Sequence, residues 1–133
     1  MTLRYMLDTN VVSHVMQGRD EALLARLTQL SVGQVFISSV TLAELEYGLH
    51  RRGQPQRLRN ALTQILLRMD VLPWDQAAAR CYGELCSTLE AQGINFSDFD
   101  MMIAAHAVAV NAVLISRDKA FAQMTSRLSL EVW

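Results

Sequence analysis

The feature that most constrains this chain is the alternation of short apolar runs with longer segments of helical periodicity. The apolar runs are three or four residues long and end in polar side chains, at 5–7, 35–37 and 112–115. Between them, apolar residues recur at helical spacing, as in 23–30 and 58–69. Parallel strands need helical crossovers and are covered on both faces, so this pattern is typical of a parallel sheet wrapped by helices. We predict an α/β fold with a central parallel sheet of four to five short strands and about seven surrounding helices.

Length and composition indicate one compact domain over residues 1–133. Apolar residues make up 51% of the 133 residues and charged residues 19%, which excludes a disordered chain. The net charge of −1 excludes a protein that coats polyanions without selectivity. Cys81 and Cys86 are five residues apart on a predicted helix and point to different faces, so no disulfide is expected. With no leader-like or membrane-spanning run, we expect a cytoplasmic protein that has no membrane partner.

Four acidic side chains fall at equivalent places in this pattern. Asp8 directly follows the first strand, and Asp118 follows the clearest strand, at 112–115. Glu44 and Asp100 fall in the predicted first turns of two helices. In right-handed β-α-β units, strand ends and the starts of the following helices lie at the same edge of the sheet. We therefore expect the four carboxylates to converge there.

Converging carboxylates indicate a metal site. Several negative charges close together raise one another's pKa unless a cation neutralises them. Mg²⁺ and Mn²⁺ prefer oxygen ligands, and such an ion can activate water and stabilise charge on a phosphodiester under attack. The sequence thus favours metal-assisted hydrolysis.

Three of the four acids also have a structural explanation. Asp8 can cap the helix that follows it. Thr41 and Glu44 stand at the spacing of a capping box. Ser97 is a candidate N-cap, and Asp100 in the first turn after it would complement the helix dipole. Taken singly, none of these residues distinguishes a cap from a ligand.

One stretch of the chain is basic. Between positions 50 and 68 there is no acid, and the arginines are Arg51, Arg52, Arg57, Arg59 and Arg68. The patch can be a solvated helix surface, or a contact with nucleic acid or with a protein partner. The sequence leaves both explanations open.

Taken in order, four blocks of the chain resemble the acidic motifs of the PIN-domain ribonucleases, and most closely the VapC toxins of bacterial toxin–antitoxin pairs. The resemblance covers essentially the whole chain. The blocks are Met6-Leu7-Asp8-Thr9-Asn10, Ser38-Ser39-Val40-Thr41-Leu42-Ala43-Glu44-Leu45-Glu46-Tyr47-Gly48, Asp100-Met101-Met102-Ile103-Ala104-Ala105-His106-Ala107 and Leu114-Ile115-Ser116-Arg117-Asp118.

The resemblance implies a Mg²⁺-dependent endoribonuclease, with Mn²⁺ as a possible substitute. The metal-held water would be the nucleophile, leaving a 5′-phosphate and a 3′-hydroxyl. Asp8 and Asp100 would be the principal metal ligands, and Glu44 and Asp118 would complete the shell directly or through water. These four residues are the catalytic and metal-binding set that the resemblance implies.

Three further residues stand beside this set. Asn10 and Ser116 match polar positions that support the site in the family. Ser116 stands where the family often has Thr, a change that keeps the hydroxyl. Asp98 is a fifth acid two residues before Asp100 and is an additional candidate for a supporting role.

The resemblance also implies partners. Family members are held inactive by a small antitoxin, commonly form homodimers, and bind promoter DNA only through the antitoxin. Their substrates are structured RNAs, such as transfer RNA or a ribosomal RNA loop. The Leu-rich helices between residues 21 and 69 are where we expect antitoxin contacts. We expect Arg51, Arg52, Arg57 and Arg59 to contact either RNA phosphates or this partner.

Two other functions compete with the nuclease. The chain can be a non-catalytic PIN-like binding module in which the acids only cap helices and a protein partner carries the function. A phosphohydrolase with an aspartyl nucleophile is a weaker alternative, because Asp8-Thr9-Asn10 lacks the second acid two residues after the first.

Overall fold

A five-stranded parallel sheet forms the centre of the protein, as expected. The computed structural model describes residues 3–124 and 127–133. Every pair of neighbouring strands is parallel, and the strand order is β3-β2-β1-β4-β5. The strands are β1 Tyr5–Leu7, β2 Val35–Ser38, β3 Asp70–Leu72, β4 Val113–Ile115 and β5 Leu130–Glu131.

Seven helices lie in the described residues, in agreement with the predicted number. Six are α-helices and the last is a 3₁₀ helix at Lys119–Met124. None of them combines the length and the apolar character that crossing a membrane would require. The α-helices are α1 Thr9–Gln17, α2 Glu21–Thr28, α3 Ser39–Arg51, α4 Gln56–Leu66, α5 Gln76–Ala91 and α6 Asp98–Ala109.

Alternation along the strands divides the core between the two faces of the sheet. Met6 and Leu114 point into one cluster, which contains the buried faces of α5 and α6. Leu7 and Ile115 point into the other, with apolar residues of α1 to α4. All four side chains are fully buried, as the period of two in a doubly covered sheet requires. The sheet, with the edge at which its strands end, is thereby packed between two layers of helices.

The strand order creates a crevice at one particular point of this edge. From β1 the chain moves outward to β2 and β3, and then returns to place β4 on the other side of β1. Such a reversal opens a crevice at the carboxyl ends of the two central strands, which is where open α/β sheets bind ligands. Asp8 and Ser116 directly follow these two strands, and the Asp8 amide donates to the Ile115 carbonyl at 3.1 Å.

The start of α3 differs from the prediction. The N-cap is Ser38, whose hydroxyl accepts the Val40 amide at 3.1 Å, and Thr41 lies fully buried inside the helix. Glu44 is the sixth residue of α3, so its predicted place in the first turn and in a capping box is wrong. The buried strand β2 runs directly into the helix, so the hydroxyl of the strand's last residue, Ser38, caps the helix. Glu44 is left free for contacts outside α3.

The last strand has only two residues, Leu130–Glu131. β5 is an edge strand that pairs only with β4, through Leu114 opposite Leu130 and Ile115 opposite Glu131. Because β4 itself has three residues, the ladder ends after two pairs.

Candidate functional site

Asp8 lies buried at the end of β1, with only 4% of its surface exposed. It caps α1, because its Oδ1 accepts the Val11 amide at 2.9 Å, as the structural explanation predicted. Burial raises the pKa of the Asp8 carboxyl most strongly, and the charges of Asp100 and Asp118 raise it further. Hydrogen bonds from Ser116 and Val11 act in the opposite direction. Capping and membership of an acidic group therefore coexist in one side chain.

Ser116 links Asp8 to Asp118. Its fully buried hydroxyl hydrogen-bonds the Asp8 carboxylate and accepts the Asp118 amide at 3.0 Å. Asp118 is exposed, and its Oδ1 accepts the Ala120 amide at 2.9 Å, so this acid caps the 3₁₀ helix. The serine thus sets the position of one acid and of the backbone that carries another.

Glu44 reaches the same region from α3. Its Oε1 accepts the Thr9 hydroxyl at 2.6 Å, and Thr9 lies 3.4 Å from the Thr41 hydroxyl. Burial raises the pKa of the Glu44 carboxyl, the Thr9 hydrogen bond lowers it, and the charges of Asp100 and Asp8 raise it. Sequence reasoning gave Thr9 no role. Its place next to Asp8 was visible, but its partner is 35 residues away.

Asp100 joins this group from α6. It is the third residue of that helix, half-buried, and its amide donates to the Ser97 hydroxyl at 3.2 Å. The Asp100 charge acts on both Asp8 and Glu44. The residue before α1, the first turn of α6 and the second turn of α3 therefore bring three carboxylates near enough for their charges to act on one another, and the Asp118 charge also acts on Asp8.

The two remaining supporting candidates lie apart from this contact network. Asn10 is exposed in the first turn of α1. Asp98 is exposed at the start of α6, and its charge acts on the phenol of Tyr82 in α5. The Tyr82 pKa is raised first by a hydrogen bond with Cys86, then by burial, and only then by charges that include Asp98.

The donor chemistry of the acidic group fits a hard cation. The charges acting on Asp8 and Glu44 within the described residues are carboxylates, and no Arg or Lys compensates them there. The same part of the chain holds no group of three or more Asp, Glu, His or Cys side chains that could bind a metal ion as it stands. Mg²⁺ is commonly held by one or two carboxylates and keeps several waters, so two direct ligands suffice for it.

Helices α3 and α6, which carry Glu44 and Asp100, are joined through a buried histidine. His106 Nδ1 lies 2.7 Å from the Ser38 hydroxyl. Because Ser38 Oγ already accepts the Val40 amide, its own proton is available for Nδ1, which suits a neutral ring. Burial lowers the His106 pKa, and the charge of Asp75 opposes this. His106 is therefore a packed, hydrogen-bonded residue of the core.

Trp74 makes a second connection between the same two helices. Its backbone amide donates to the Ser39 hydroxyl at 3.0 Å, and its indole Nε1 donates to the Met102 carbonyl at 2.9 Å. The indole ring also packs edge-on against Tyr82 at 5.9 Å. Trp74 therefore holds the start of α3 against the first half of α6.

The basic run does not form one surface. Arg59 pairs with Glu46, with Nη2 3.0 Å from Oε2, and also donates to Gln54 at 2.7 Å. The Arg51 guanidinium lies over the exposed Tyr47 ring, 5.7 Å from its centre. Arg52, Arg57 and Arg68 are exposed.

Two cavities border these helices. A cavity of about 180 Å³ lies between α1 and α3, and a groove of about 500 Å³ lies between α2, α4 and the segment before β2. Glu44, Thr9, Arg51 and Arg52 line the smaller cavity, which therefore opens beside the acidic group. The larger groove is lined by Val15, Leu24, Leu27, Thr28, Leu30, Ser31, Val32, Val35, Ala61, Gln64, Ile65, Arg68 and Met69.

Comparison with known proteins agrees with this architecture. The PIN domain family matches residues 5–126. Ribonuclease VapC2 of Haemophilus influenzae and the tRNA(fMet)-specific endonuclease VapC of Shigella flexneri are each 33% identical over 131 residues, covering 98% of both chains. The fold also matches VapBC2 of Rickettsia felis bound to promoter DNA, with a TM-score of 0.90, 29% identity and coverage of 98% and 99% of the two chains. The chain belongs to the PIN-domain family and, within it, to the VapC ribonucleases.

Proposed function

We propose that this protein is the toxin of a type II toxin–antitoxin pair, a metal-dependent endoribonuclease that cleaves structured RNA until a cognate antitoxin blocks it. The observation that carries the proposal is the uncompensated acidic group at the β1/β4 crevice. Asp8, Glu44 and Asp100 come from three separate elements, and their mutual charge adds to burial in raising the pKa of Asp8 and Glu44. A fold tolerates such repulsion where a bound cation relieves it.

Each member of the group has a proposed role. Asp8 and Asp100 are the principal holders of Mg²⁺ or Mn²⁺, and Glu44 and Asp118 act directly or through water. When bound, the ion would activate a water and stabilise the charge developing on the phosphodiester. The chain itself orients these oxygens through Ser116 on Asp8 and Thr9 on Glu44.

Substitution of Asp8 tests the metal role. Asp8→Asn keeps the cap, because Asn is an equally good N-cap, but removes the charge. We expect loss of RNA cleavage together with loss of the thermal stabilisation that Mn²⁺ gives the wild type. Asp75→Asn, which changes the N-cap of α5 away from the acids, is the matched control and should keep both. If Asp8→Asn cuts RNA as fast as the wild type, the assignment of the site is wrong.

For the substrate, we propose transfer RNA first and a ribosomal RNA loop second. The Shigella flexneri relative is named for cleavage of initiator tRNA. Purified protein incubated with total tRNA and with ribosomes, followed by sequencing of the cut ends, decides between them. A 5′-phosphate and a 3′-hydroxyl are the expected ends. We accordingly propose a cytoplasmic location, where both candidate substrates are found.

The partner that we propose for the larger groove is the antitoxin. Structural neighbours from Rickettsia felis and Salmonella typhimurium are VapBC complexes bound to DNA. The groove of about 500 Å³ is lined mostly by residues of the Leu-rich region 21–69. Its apolar side chains, such as Leu24 and the 87%-exposed Val32, are accessible to a partner. Promoter DNA would then be bound through the antitoxin. A homodimer remains a prediction, which light scattering on the purified protein measures.

A binding module is the second candidate, and two observations favour it. Asp8 and Asp118 both cap helices, and the described residues hold no ready group of three metal ligands. A pure binding module should show no thermal shift with Mg²⁺ or Mn²⁺, whereas the nuclease should be stabilised by either. Expression of the wild type should arrest growth, and a neighbouring antitoxin gene should relieve the arrest. If Asp8→Asn causes no arrest, the pure binding module is excluded.

A further inference from the structure

The cavity of about 180 Å³ between α1 and α3, here called the α1–α3 pocket, has no part in the chemistry described above. It begins at the acidic group, because Glu44 and its hydrogen-bond partner Thr9 form part of its lining. From there it extends along one face of α3, through Gly48 to Arg51 and Arg52. Something bound at the carboxylates can therefore continue directly into the pocket.

Its lining is apolar at the base and polar at the rim. Met16, Leu45 and Leu49 are buried core residues whose side chains form the floor, with Leu58 of α4 beside them. Apart from Gly48, the other lining residues are polar or charged: Thr9, Ser13, Gln17, Glu44, Arg51 and Arg52. A flat apolar ring with hydrogen-bonding edges has this same division of surfaces. The pocket is also smaller than the roughly 300–1,000 Å³ of sites that take drug-sized ligands, so it suits one ring system.

We propose that the α1–α3 pocket receives a single unpaired base of the RNA substrate, from a nucleotide next to the cleaved phosphodiester, and that Arg51 and Arg52 hold the adjoining phosphates. This inference rests on the proposed ribonuclease function and adds a specificity determinant to it. Proteins that read RNA by sequence take splayed-out bases of loops and pair their edges with polar groups, whereas double-stranded RNA is read by shape. The proposed substrate class is accordingly an RNA loop with an extruded base.

The surroundings of the pocket support this occupant. Tyr47 is 67% exposed, and the Arg51 guanidinium lies over its ring at 5.7 Å. An exposed aromatic ring beside an arginine is a stacking platform for a neighbouring base. Arg59, by contrast, is engaged by Glu46 and Gln54, so Arg51 and Arg52 are the arginines that the structure leaves at the mouth.

An antitoxin side chain is a different possible occupant, and the observations favour it less. The α1–α3 pocket carries two arginines against one glutamate, which complements phosphate. The larger groove between α2 and α4 is much more apolar and suits the face of an amphipathic protein segment. The two cavities therefore differ in the chemistry that they offer.

Gly48 allows the pocket to be filled without disturbing the protein around it. A Cβ at Gly48 would meet no atom within 4 Å, and the residue lies inside α3 with helical geometry. Gly48→Leu should therefore place a side chain in the pocket space. Gly83 offers the matched control, since it is an exposed glycine inside α5 with the same open surroundings. Ser13→Leu fills the pocket from α1 and replaces Gly48→Leu if that variant fails to fold.

The experiment measures cleavage of purified initiator tRNA and, separately, binding of single-stranded RNA 12-mers to Asp8→Asn protein by fluorescence anisotropy. We expect Gly48→Leu to raise KM and weaken 12-mer binding by about tenfold or more, the loss of one stacked base. Gly83→Leu should change neither. A series of substrates, each lacking the base at one position, locates the bound base. At a single position, removal of the base should reduce cleavage by the wild type and have no further effect on cleavage by Gly48→Leu.

Several outcomes would overturn the inference while leaving the nuclease in place. Unchanged RNA binding and cleavage in Gly48→Leu, with wild-type stabilisation by Mn²⁺, would show that the pocket takes no base. So would weaker antitoxin binding in Gly48→Leu without any change towards RNA. If Mn²⁺ gave no thermal stabilisation to the wild type or to any variant, the proposed function itself would be wrong. The two failures are therefore distinguishable.

Discussion

Asp8 shows how a single residue can serve two purposes at once. One of its oxygens accepts the Val11 amide and begins α1, a role that any folded chain of this type needs. The same carboxylate lies buried beside other acids, and burial raises its pKa. The hydrogen bond from Val11 stabilises the ionised carboxylate, but it does not offset the free energy that burial of the charge costs. The cap alone would be served as well by Asn, so the charge itself calls for a functional explanation.

This cost predicts a pH-dependent effect on stability. Because the folded-state pKa of Asp8 is raised, the folded protein holds the proton more tightly than the unfolded chain, and the ionised residue destabilises the metal-free protein above that pKa. Asp8→Asn should therefore be more stable than the wild type at pH 7, which is measured as a higher Tm. The advantage should shrink as the pH falls through the raised pKa towards the ordinary value of 3.8.

The difference between the two proteins is the quantity to measure, by calorimetry without metal. His106 opposes the trend in each of them, since its lowered pKa means that stability is lost as the pH falls below its ordinary value of 6.5. The subtraction removes this contribution. An advantage of Asp8→Asn that stays constant with pH would contradict a raised pKa at Asp8.

Ser116 is predicted to act through Asp8. Ser116→Ala removes a hydrogen bond that favours the ionised carboxylate and leaves the Asp118 amide without its acceptor. We expect Mn²⁺ affinity to fall by roughly 10- to 100-fold, as for other residues that orient a metal ligand. Isothermal titration calorimetry measures it, and Ser116→Thr, which keeps the hydroxyl, should retain most of the affinity. Equal loss in both variants would indicate packing rather than the hydrogen bond.

At the level of elements, the alternation of apolar runs and helical segments was sufficient to predict the parallel sheet and the number of helices, and the side chain of Ser97 predicted the cap of α6. These depend on local spacing. The contact of Thr9 with Glu44 could not be predicted, because it depends on how α1 packs against α3. The start of α3 was misplaced because Ser38 and Thr41 both have capping side chains, and the choice depends on where strand β2 ends, which their spacing does not show.

Trp74 provides a test of how the elements are held together. Trp74→Phe keeps an aromatic ring near Tyr82 but removes the indole donor to the Met102 carbonyl. We expect a loss of about 1 kcal/mol in the free energy of unfolding, together with weaker Mn²⁺ stabilisation, because α6 carries Asp100 two residues before Met102. Urea unfolding and thermal shift are the measurements. Trp133→Phe removes an indole that donates to the Glu131 side chain far from α3 and α6, but keeps an aromatic ring beside Tyr5, so it should leave the Mn²⁺ effect intact.

At the scale of the whole molecule, the chain separates its surfaces by chemistry. The acids lie at the β1/β4 crevice, the α1–α3 pocket with Arg51 and Arg52 continues from them, and the apolar groove lies between α2 and α4. The basic run 50–68 had suggested one contact surface. In the folded chain Arg68 borders the apolar groove and Arg59 is paired, so the run contributes to different places. RNA cleavage and antitoxin binding should accordingly be separable by mutation.

The apolar groove gives the sharpest test of that separation. Leu24→Glu combined with Val32→Glu places two charges in the groove at positions that are half-buried and 87% exposed, so the fold should tolerate them. Burying these charges under an antitoxin segment should weaken the complex by about 100-fold or more, while cleavage of RNA by the free protein stays unchanged. Co-expressed antitoxin should then fail to relieve growth arrest. Leu67→Glu is the control, because Leu67 is also apolar and is 74% exposed but lies outside the groove. The antitoxin should still neutralise this variant. Full neutralisation of the double variant would place the antitoxin on another surface.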